Sequence, residues 1–272
     1  MSDTSWPGAA PVAVSFTVDF DADVGMDWRK LDGRLTSTSE ARFGAVRGVW
    51  RLLDLFAEKG IATTWYVPGE IATLWPDEVT ALVAAGHEVG HHGHTHLFND
   101  RVDPADQHVE LDRGLEALGN VLGHAPRGYR SPGWELTPDT VELLVDRGFA
   151  FDSSCMGDDR PYLERSGPHA ILELPVHWSL DDWVYYAFTR DGGGPMADPD
   201  ALYRCWFREF ESALAERRHV TYTLHPECSG RGYRSRTVSL LIDQMRASAD
   251  VWFAPHGAVA DLVEPGLDLA PA

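Results

Sequence analysis

Apolar and polar positions alternate along this chain in blocks whose period switches repeatedly between that of a strand and that of a helix. Val12-Ala-Val-Ser-Phe-Thr-Val-Asp19 is a short apolar run ending in a carboxylate, the pattern of a buried strand with functional groups at its C-terminal end. Residues 23–40 are polar and turn-rich and read as a long loop. Residues 41–59 carry Val46, Val49, Trp50, Leu53 and Phe56, which predicts one apolar helical stripe, stopped by Gly60. Further strands are expected at 62–67, 87–90, 128–130, 149–152, 171–175, 219–224 and 251–253. Helices are expected at 77–85, 105–122, 198–218 and 238–248. One more helix is punctuated at both ends: Thr137 as N-cap, Pro138 at its first position, Val141, Leu144 and Val145 inward, and Gly148 past the end.

Roughly seven strands alternating with helices imply a parallel sheet covered by helices, either open and doubly wound or closed as a barrel. No glycine-rich phosphate loop follows the first strand, which favours a TIM-barrel-like α/β fold over a nucleotide-binding open sheet. No linker or repeat interrupts the alternation. The expectation is one domain over residues 1–272, with its core at about 12–263.

Composition narrows the partners. Lys+Arg number 23 and Asp+Glu 42, a formal net charge of −19, which repels phosphate backbones and anionic lipid. Neither nucleic acid nor a membrane surface is therefore an expected partner, and no apolar run approaches the roughly 20 residues that span a bilayer. Cys155, Cys205 and Cys228 are too scattered for a disulfide framework or a CxxC metal site. Residues 1–11 lack a basic stretch followed by an apolar one, so a cytoplasmic location is expected.

The chemistry concentrates in four segments. Five of the twelve histidines lie in His87-Glu-Val-Gly-His-His92-Gly-His-Thr-His96, a density that neither solubility nor an unpaired core calls for. The spacing of four lets His92 and His96 turn to one ion; the bland alternative is a solvated histidine-rich loop. Asp19-Phe20-Asp21 puts two carboxylates on one face of an extended segment. Alone such a pair merely ends a strand, but two histidines and one aspartate leave coordination positions open, as a catalytic metal site requires. Arg130 stands at a strand end beside Pro132-Gly133, where a backbone N–H can face an oxyanion. His225 ends another apolar strand and is a candidate general acid, with Asp181-Asp182-Trp183 offering a carboxylate to orient it.

Together these segments resemble the polysaccharide deacetylase superfamily, the fourth carbohydrate-esterase family. Val18-Asp-Phe-Asp21 is similar to its first motif, Gly86 to His96 to its second, Arg130-Ser-Pro-Gly-Trp134 to its third and Leu224-His-Pro226 to its last. The resemblance implies a distorted (β/α)7 barrel. It also implies Asp19 as catalytic base, a divalent metal ion on Asp21, His92 and His96, Arg130 steadying the base, and His225 as acid. Zinc suits mixed nitrogen and carboxylate donors best, ahead of cobalt, nickel, manganese or iron. Gly133, Trp134, Asp181, Asp182 and Trp183 are the expected oxyanion and substrate contacts.

Thr64-Trp-Tyr-Val-Pro68, Phe151-Asp-Ser-Ser154, Glu173-Leu-Pro-Val-His-Trp178 and Leu180-Asp-Asp182 further resemble the branch holding peptidoglycan deacetylase-like proteins, cyclic imidases and allantoinases. That branch often oligomerises, which puts a second copy of the chain among the expected partners. Two departures from the usual deacetylase pattern stand out: Asp-Phe-Asp in place of adjacent aspartates, and Gly133 where an aromatic residue is usual. The expected activity is metal-dependent hydrolysis of a non-peptide carbon–nitrogen amide bond, by N-deacetylation of an amino sugar or glycan. The alternative is opening of a cyclic imide or ureide; a catalytically inactive binding barrel ranks last. The substrate is expected to be a small molecule or oligosaccharide, with the aromatic stretch 183–188 as a lid over it.

Overall fold

The computed structural model describes residues 6–25, 33–188 and 192–263. Strand β1 (Val12–Asp19) is buried along its whole length. Its period of two sends Val14, Phe16 and Val18 into an apolar core and leaves Ser15, Thr17 and Asp19 on the opposite face. The other strands are β2 (Thr64–Val67), β3 (Glu88–His91), β4 (Gly128–Tyr129), β5 (Phe151–Asp152), β6 (Tyr162–Ser166), β7 (His169–Glu173), β8 (His219–Leu224) and β9 (Val251–Phe253).

Their order in the sheet is β6-β7-β5-β4-β3-β2-β1-β8. All neighbours along this path are parallel except β6 and β7, which form an antiparallel hairpin. One edge of β1 is shared: Val12–Val14 pair with β9, and Thr17–Asp19 pair with Thr64–Tyr66 of β2. Beyond β8, Asp181 bridges Thr223. The sheet curls into a half-barrel with helices on its outside, so the C-terminal ends of the parallel strands face one mouth.

The main core lies between the sheet and helices Val49–Lys59, Pro199–Glu216 and Gly232–Ser248, around Phe16, Phe56, Trp65, Trp206 and Tyr222. Burying each such side chain contributes about 1.5–3 kcal/mol, which anchors the strands whose ends carry the site.

The structure departs from the sequence expectations in ways with identifiable causes. Within the expected loop 23–40, Ala22–Gly25 and Leu35–Phe43 are helical, and 26–32 lie outside the described residues. Gly44–Gly48 form a π-type turn before helix Val49–Lys59, and that wider turn rotates the stripe. Val46 and Trp50 consequently face outward, while Val49, Leu52, Leu53, Leu55 and Phe56 face the core. That turn reflects close packing: a Cβ on Gly48 would lie 2.2 Å from the Pro226 carbonyl oxygen. Strand β3 starts one residue later than expected. The β6–β7 hairpin, turning at Gly167 (φ +56°), has half-buried strands without clean alternation, which hides it from pattern reading. Helix Gly232–Ser248 begins six residues before its apolar periodicity, because its first turns bury Arg234, Ser235 and Thr237 instead. Val145 is half-buried and Leu143 takes the inward place. Helix His256–Val263 was not anticipated.

Candidate active site

The strand ends bring Asp19, Asp21, His92, His96, Arg130 and His225 together at the barrel mouth. Asp21 lies two residues past β1; its Oδ1 is 3.5 Å from His92 Nε2 and its Oδ2 3.4 Å from His96 Nε2. His92 follows β3 directly, and its Nδ1 lies 2.7 Å from the Arg130 carbonyl oxygen. A carbonyl only accepts, so Nδ1 carries the proton and Nε2 turns its lone pair toward Asp21.

His96 reaches the same point through a turn that holds it in the left-handed region, at φ +59°. Glu110, from helix Pro104–Leu122, stabilises that turn by accepting from the N–H groups of His94 (3.1 Å) and Thr95 (2.7 Å) and from the Thr95 hydroxyl (2.9 Å). The other histidines of the cluster serve elsewhere. His91 packs away from the mouth with Nε2 3.2 Å from the Leu111 carbonyl oxygen, and burial pushes it down to about 3. Burial lowers His87 to about 4, where it hydrogen-bonds with Thr63. His94 is buried close to Gly69.

Among the described residues three groups of donors are close enough to hold a metal ion: Asp21, His92 and His96; Asp152, Cys155 and Glu173; and Asp181, Asp182 and His225, each with ligand atoms within 4.8 Å of one another. In the second, Glu173 Oε1 already accepts from the N–H groups of Ser154 and Cys155, burial and the neighbouring Asp152 raise Glu173 well above its usual range, and burial pushes the Cys155 thiol far up. In the third, Asp182 already accepts from the N–H groups of His225 and Ser229 and lies 2.8 Å from His225 Nδ1. Only the first turns two imidazole nitrogens toward one carboxylate, and Asp21 Oδ1 is buried there without a hydrogen-bond partner. Burial works against the Asp21 carboxylate, but His96, His92 and His225 outweigh it and hold it far below its usual range. That donor set fits a divalent cation.

Arg130, fully buried, is the centrepiece beside it. Nη1 donates to Asp19 Oδ1 at 2.7 Å and to the Thr17 hydroxyl at 2.9 Å. Nε and Nη2 donate to the Ser153 carbonyl and hydroxyl oxygens at 2.9 and 2.8 Å. Its guanidinium also lies 4.2 Å from the centre of the Tyr66 ring. The second Asp19 oxygen, Oδ2, accepts from Trp134 Nε1 at 3.2 Å and lies 4.0 Å from both His92 Nε2 and His225 Nε2.

Trp134 therefore positions Asp19 and is itself stacked on Trp178, at 4.6 Å between ring centres. Gly133 next to it takes φ +66°, with the Phe98 ring 3.0 Å from where a Cβ would be. A side chain here would be strained and crowded, which accounts for the missing aromatic residue.

His225 follows β8, and Asp182 lies against it on two sides, accepting from its backbone N–H and facing Nδ1. Asp181 Oδ1 is 3.4 Å from the same nitrogen and accepts from the N–H of Trp183, whose ring centre lies 5.2 Å from that of His225. Burial opposes the charged imidazolium, yet Asp181, Asp182 and Asp19 override it and raise His225 well above its ordinary value. Burial in turn lifts Asp181 to about 7, against the pull of His225. The expected lid is partly anchored: residues 182–186 form a short helix with Tyr186 buried, and 189–191 lie outside the described residues.

Sequence reading gave no role to Thr17, Ser153 and Thr223, which cradle Arg130, nor to Glu110, Trp178 and Glu227. Thr17 and Thr223 had a signal in the polar alternation of β1 and β8, and Ser153 and Trp178 stood in the Phe151–Ser154 and Glu173–Trp178 segments that carried the branch resemblance. Glu110 had none, being brought in by tertiary packing.

A model of the polysaccharide deacetylase family matches residues 43–151. The chain is 27% identical to a peptidoglycan deacetylase of Helicobacter pylori over 93% of its own length and 96% of that protein's. It is 30% identical to a peptidoglycan deacetylase-like protein of Gibberella zeae, over 84% of this chain and 78% of the other. A crystal structure from Mycobacterium smegmatis assigned to the polysaccharide deacetylases superposes with a TM-score of 0.92, 34% identity and coverage of 98% and 95%. The PuuE allantoinase shares the fold, with a TM-score of 0.86, 24% identity and coverage of 96% and 93%. Sequence, fold and the arrangement of carboxylates and imidazoles at the barrel mouth agree: the chain is a hydrolase of the polysaccharide deacetylase family.

Proposed function

We propose that the protein removes an N-acyl group from an amino sugar or short glycan, with zinc held by Asp21, His92 and His96. The observation that carries this reading is that Asp19 Oδ2 and His225 Nε2, 4.0 Å apart, both border the Asp21–His92–His96 cluster. A divalent ion on that cluster supplies Lewis acidity, which polarises the amide carbonyl and acidifies water.

The chain's own groups divide the proton transfers. Asp19, its Oδ1 held by Arg130, presents Oδ2 to take a proton from the attacking water. His225, kept protonated by Asp181 and Asp182, donates to the departing nitrogen. The Gly133 N–H is the candidate donor to the developing oxyanion. Two carboxylates and an imidazolium so arranged match the needs of amide hydrolysis, where a poor leaving group must be protonated as it departs.

Within this reading a small substrate is favoured over an intact polymer, because a chain of net charge −19 gives no attraction to anionic wall polymers. The test is a panel. Purified protein loaded in turn with zinc, cobalt, nickel or manganese is assayed on chito-oligomers, peptidoglycan, monomeric N-acetyl sugars and cyclic imides. Acetate release from the monomeric sugars, fastest with zinc, is the expected result. Rates that climb with glycan length would refute the small substrate, and turnover of imides alone would refute deacetylation.

A further inference from the structure

We infer that the substrate carries an anionic oxygen group, carboxylate or phosphate, which Arg231 and Arg234 hold in a cavity beside His225. This deepens the amide-hydrolase reading above and rests on it. The two arginines line a cavity of about 240 Å³ together with Trp183, Tyr186, Tyr233 and Glu227. The cavity adjoins the site, since Trp183 packs on the His225 ring and Glu227 stands two residues beyond it.

Charge is what sets this cavity apart. In a chain of net charge −19, the other buried cations among the described residues have acidic partners: Arg130 with Asp19, Arg218 with Glu209 and Glu216, Lys59 with Asp243. Arg231 and Arg234 have no carboxylate within 4.0 Å among the described residues. Arg234 is 8% exposed, and its hydrogen-bond partner there is the neutral Tyr233 hydroxyl, 2.8 Å from Nε. A guanidinium buried without a counter-charge is costly, and a ligand that brings the charge removes the cost.

Aromatic rings fix both guanidinium planes. Arg231 lies 3.5 Å from the centre of the Phe43 ring and Arg234 4.2 Å from that of Tyr186. Stacking occupies the faces and leaves the N–H edges, the part that grips carboxylate or phosphate in pairs of parallel bonds. Glu227 adds a complementary feature. It lines the same cavity, lies beyond ion-pair distance of both arginines, and has two buried oxygens without a hydrogen-bond partner. Gly44 leaves room for it, a Cβ there falling 2.9 Å from Glu227 Oε2. A ligand offering an anionic group to the arginines and an N–H or O–H to Glu227 would answer both kinds of charged group in the cavity, and the Tyr186 hydroxyl, buried there without a partner, is a further donor to it.

Three sugars that share one N-acetyl amide test this: N-acetylmuramic acid with a carboxylate, N-acetylglucosamine 6-phosphate, and uncharged N-acetylglucosamine. In the zinc-loaded protein, kcat/KM for one charged sugar should exceed that for the neutral one by about tenfold to a hundredfold. Which one it is identifies the group. In Arg231→Gln and in the Arg231→Gln/Arg234→Gln double variant the gap should narrow at least tenfold. Equal kcat/KM for charged and neutral sugars overturns the inference. A calorimetric titration with succinate and with inorganic phosphate separates it from the deacetylase reading. If no sugar is turned over that reading falls, while binding of either anion to the native protein, weakened at least tenfold in the variants, still supports the anion site. Absence of such binding, or binding that the variants leave unchanged, overturns it. Arg231 is half-exposed, so its single variant keeps the test interpretable should the double variant fail to fold.

Discussion

Replacing Asp182 by Asn should move the alkaline limb of the activity profile toward acid. Asp182 is fully buried and receives three N–H groups: the His225 backbone at 3.0 Å, the Ser229 backbone at 3.0 Å, and the His225 ring through Nδ1 at 2.8 Å. Asn keeps the shape but loses the charge and can meet these donors with one oxygen. Its NH₂ must face a donor. A hydrogen bond to a charged group is worth about 1.5–3 kcal/mol, and 1.36 kcal/mol corresponds to one pKa unit. His225 should therefore fall by roughly one to two units, with Asp181 supplying the remaining support at 3.4 Å.

The sign follows from the role of the residue. A general acid works in its protonated form, which exists below its pKa, and the native carboxylates raise His225 well above its ordinary value. Lowering it makes activity disappear at a lower pH. On the alkaline limb of the native profile kcat should drop about tenfold to a hundredfold, whereas the acid side should change little. The assay is kcat against pH for native and Asp182→Asn proteins with equal metal content by elemental analysis, on a poor and on a good leaving group. The good leaving group, which needs no proton, should lose least. An alkaline limb that stays in place, with kcat reduced evenly at every pH, would refute the reasoning and leave Asp182 with a structural role.

Three other outcomes are expected. Asp19→Asn should retain its metal and lose about 10²–10⁴ in turnover, and near-native rates would end its role as base. The His92→Ala/His96→Ala double variant should lose stoichiometric metal by elemental analysis; the double change is the fair one because His91 and His94 are neighbours in sequence. Arg130→Met should destabilise the fold by about 3–5 kcal/mol in denaturant titration, because it strands the buried Asp19 carboxylate and the oxygens of Thr17 and Ser153.

Much of the fold was legible because its elements follow simple periods. The clearest cases were β1, β8, helix Pro104–Leu122 and the Thr137-capped helix, whose N-cap side chain bonds the Thr140 N–H as the sequence suggested. Pattern reading failed where close packing bends the rules. The π-type turn at Gly44–Gly48 exists because the chain must pass within touching distance of Pro226, a contact 178 residues away that no local period records. The candidate metal cluster was legible for the opposite reason: five histidines in ten residues stand out in any sequence. Their selection was less so, since only the fold shows that His91 points into the core while His92 points out of the mouth.

The deepest part of the site was written in a form that periodicity analysis passes over. Strands β1 and β8 are buried on both faces, so their apolar residues read as continuous runs and mask the polar set Ser15, Thr17, Asp19 and Thr221, Thr223, His225. The register pairs Ser15 with Thr221 and Thr17 with Thr223, which stacks the two polar rows side by side. Arg130 then reaches across: Nη1 lies 2.9 Å from the Thr17 hydroxyl, 3.3 Å from that of Thr223 and 2.7 Å from Asp19. A slip of one residue in β8 would turn Thr223 and His225 toward the apolar helices and bring Tyr222 and Leu224 inside. The same alternation that specifies the strand pairing thus places Asp19, His225 and the arginine between them, so the candidate site cannot be misassembled without losing the core that Phe16 and Tyr222 share.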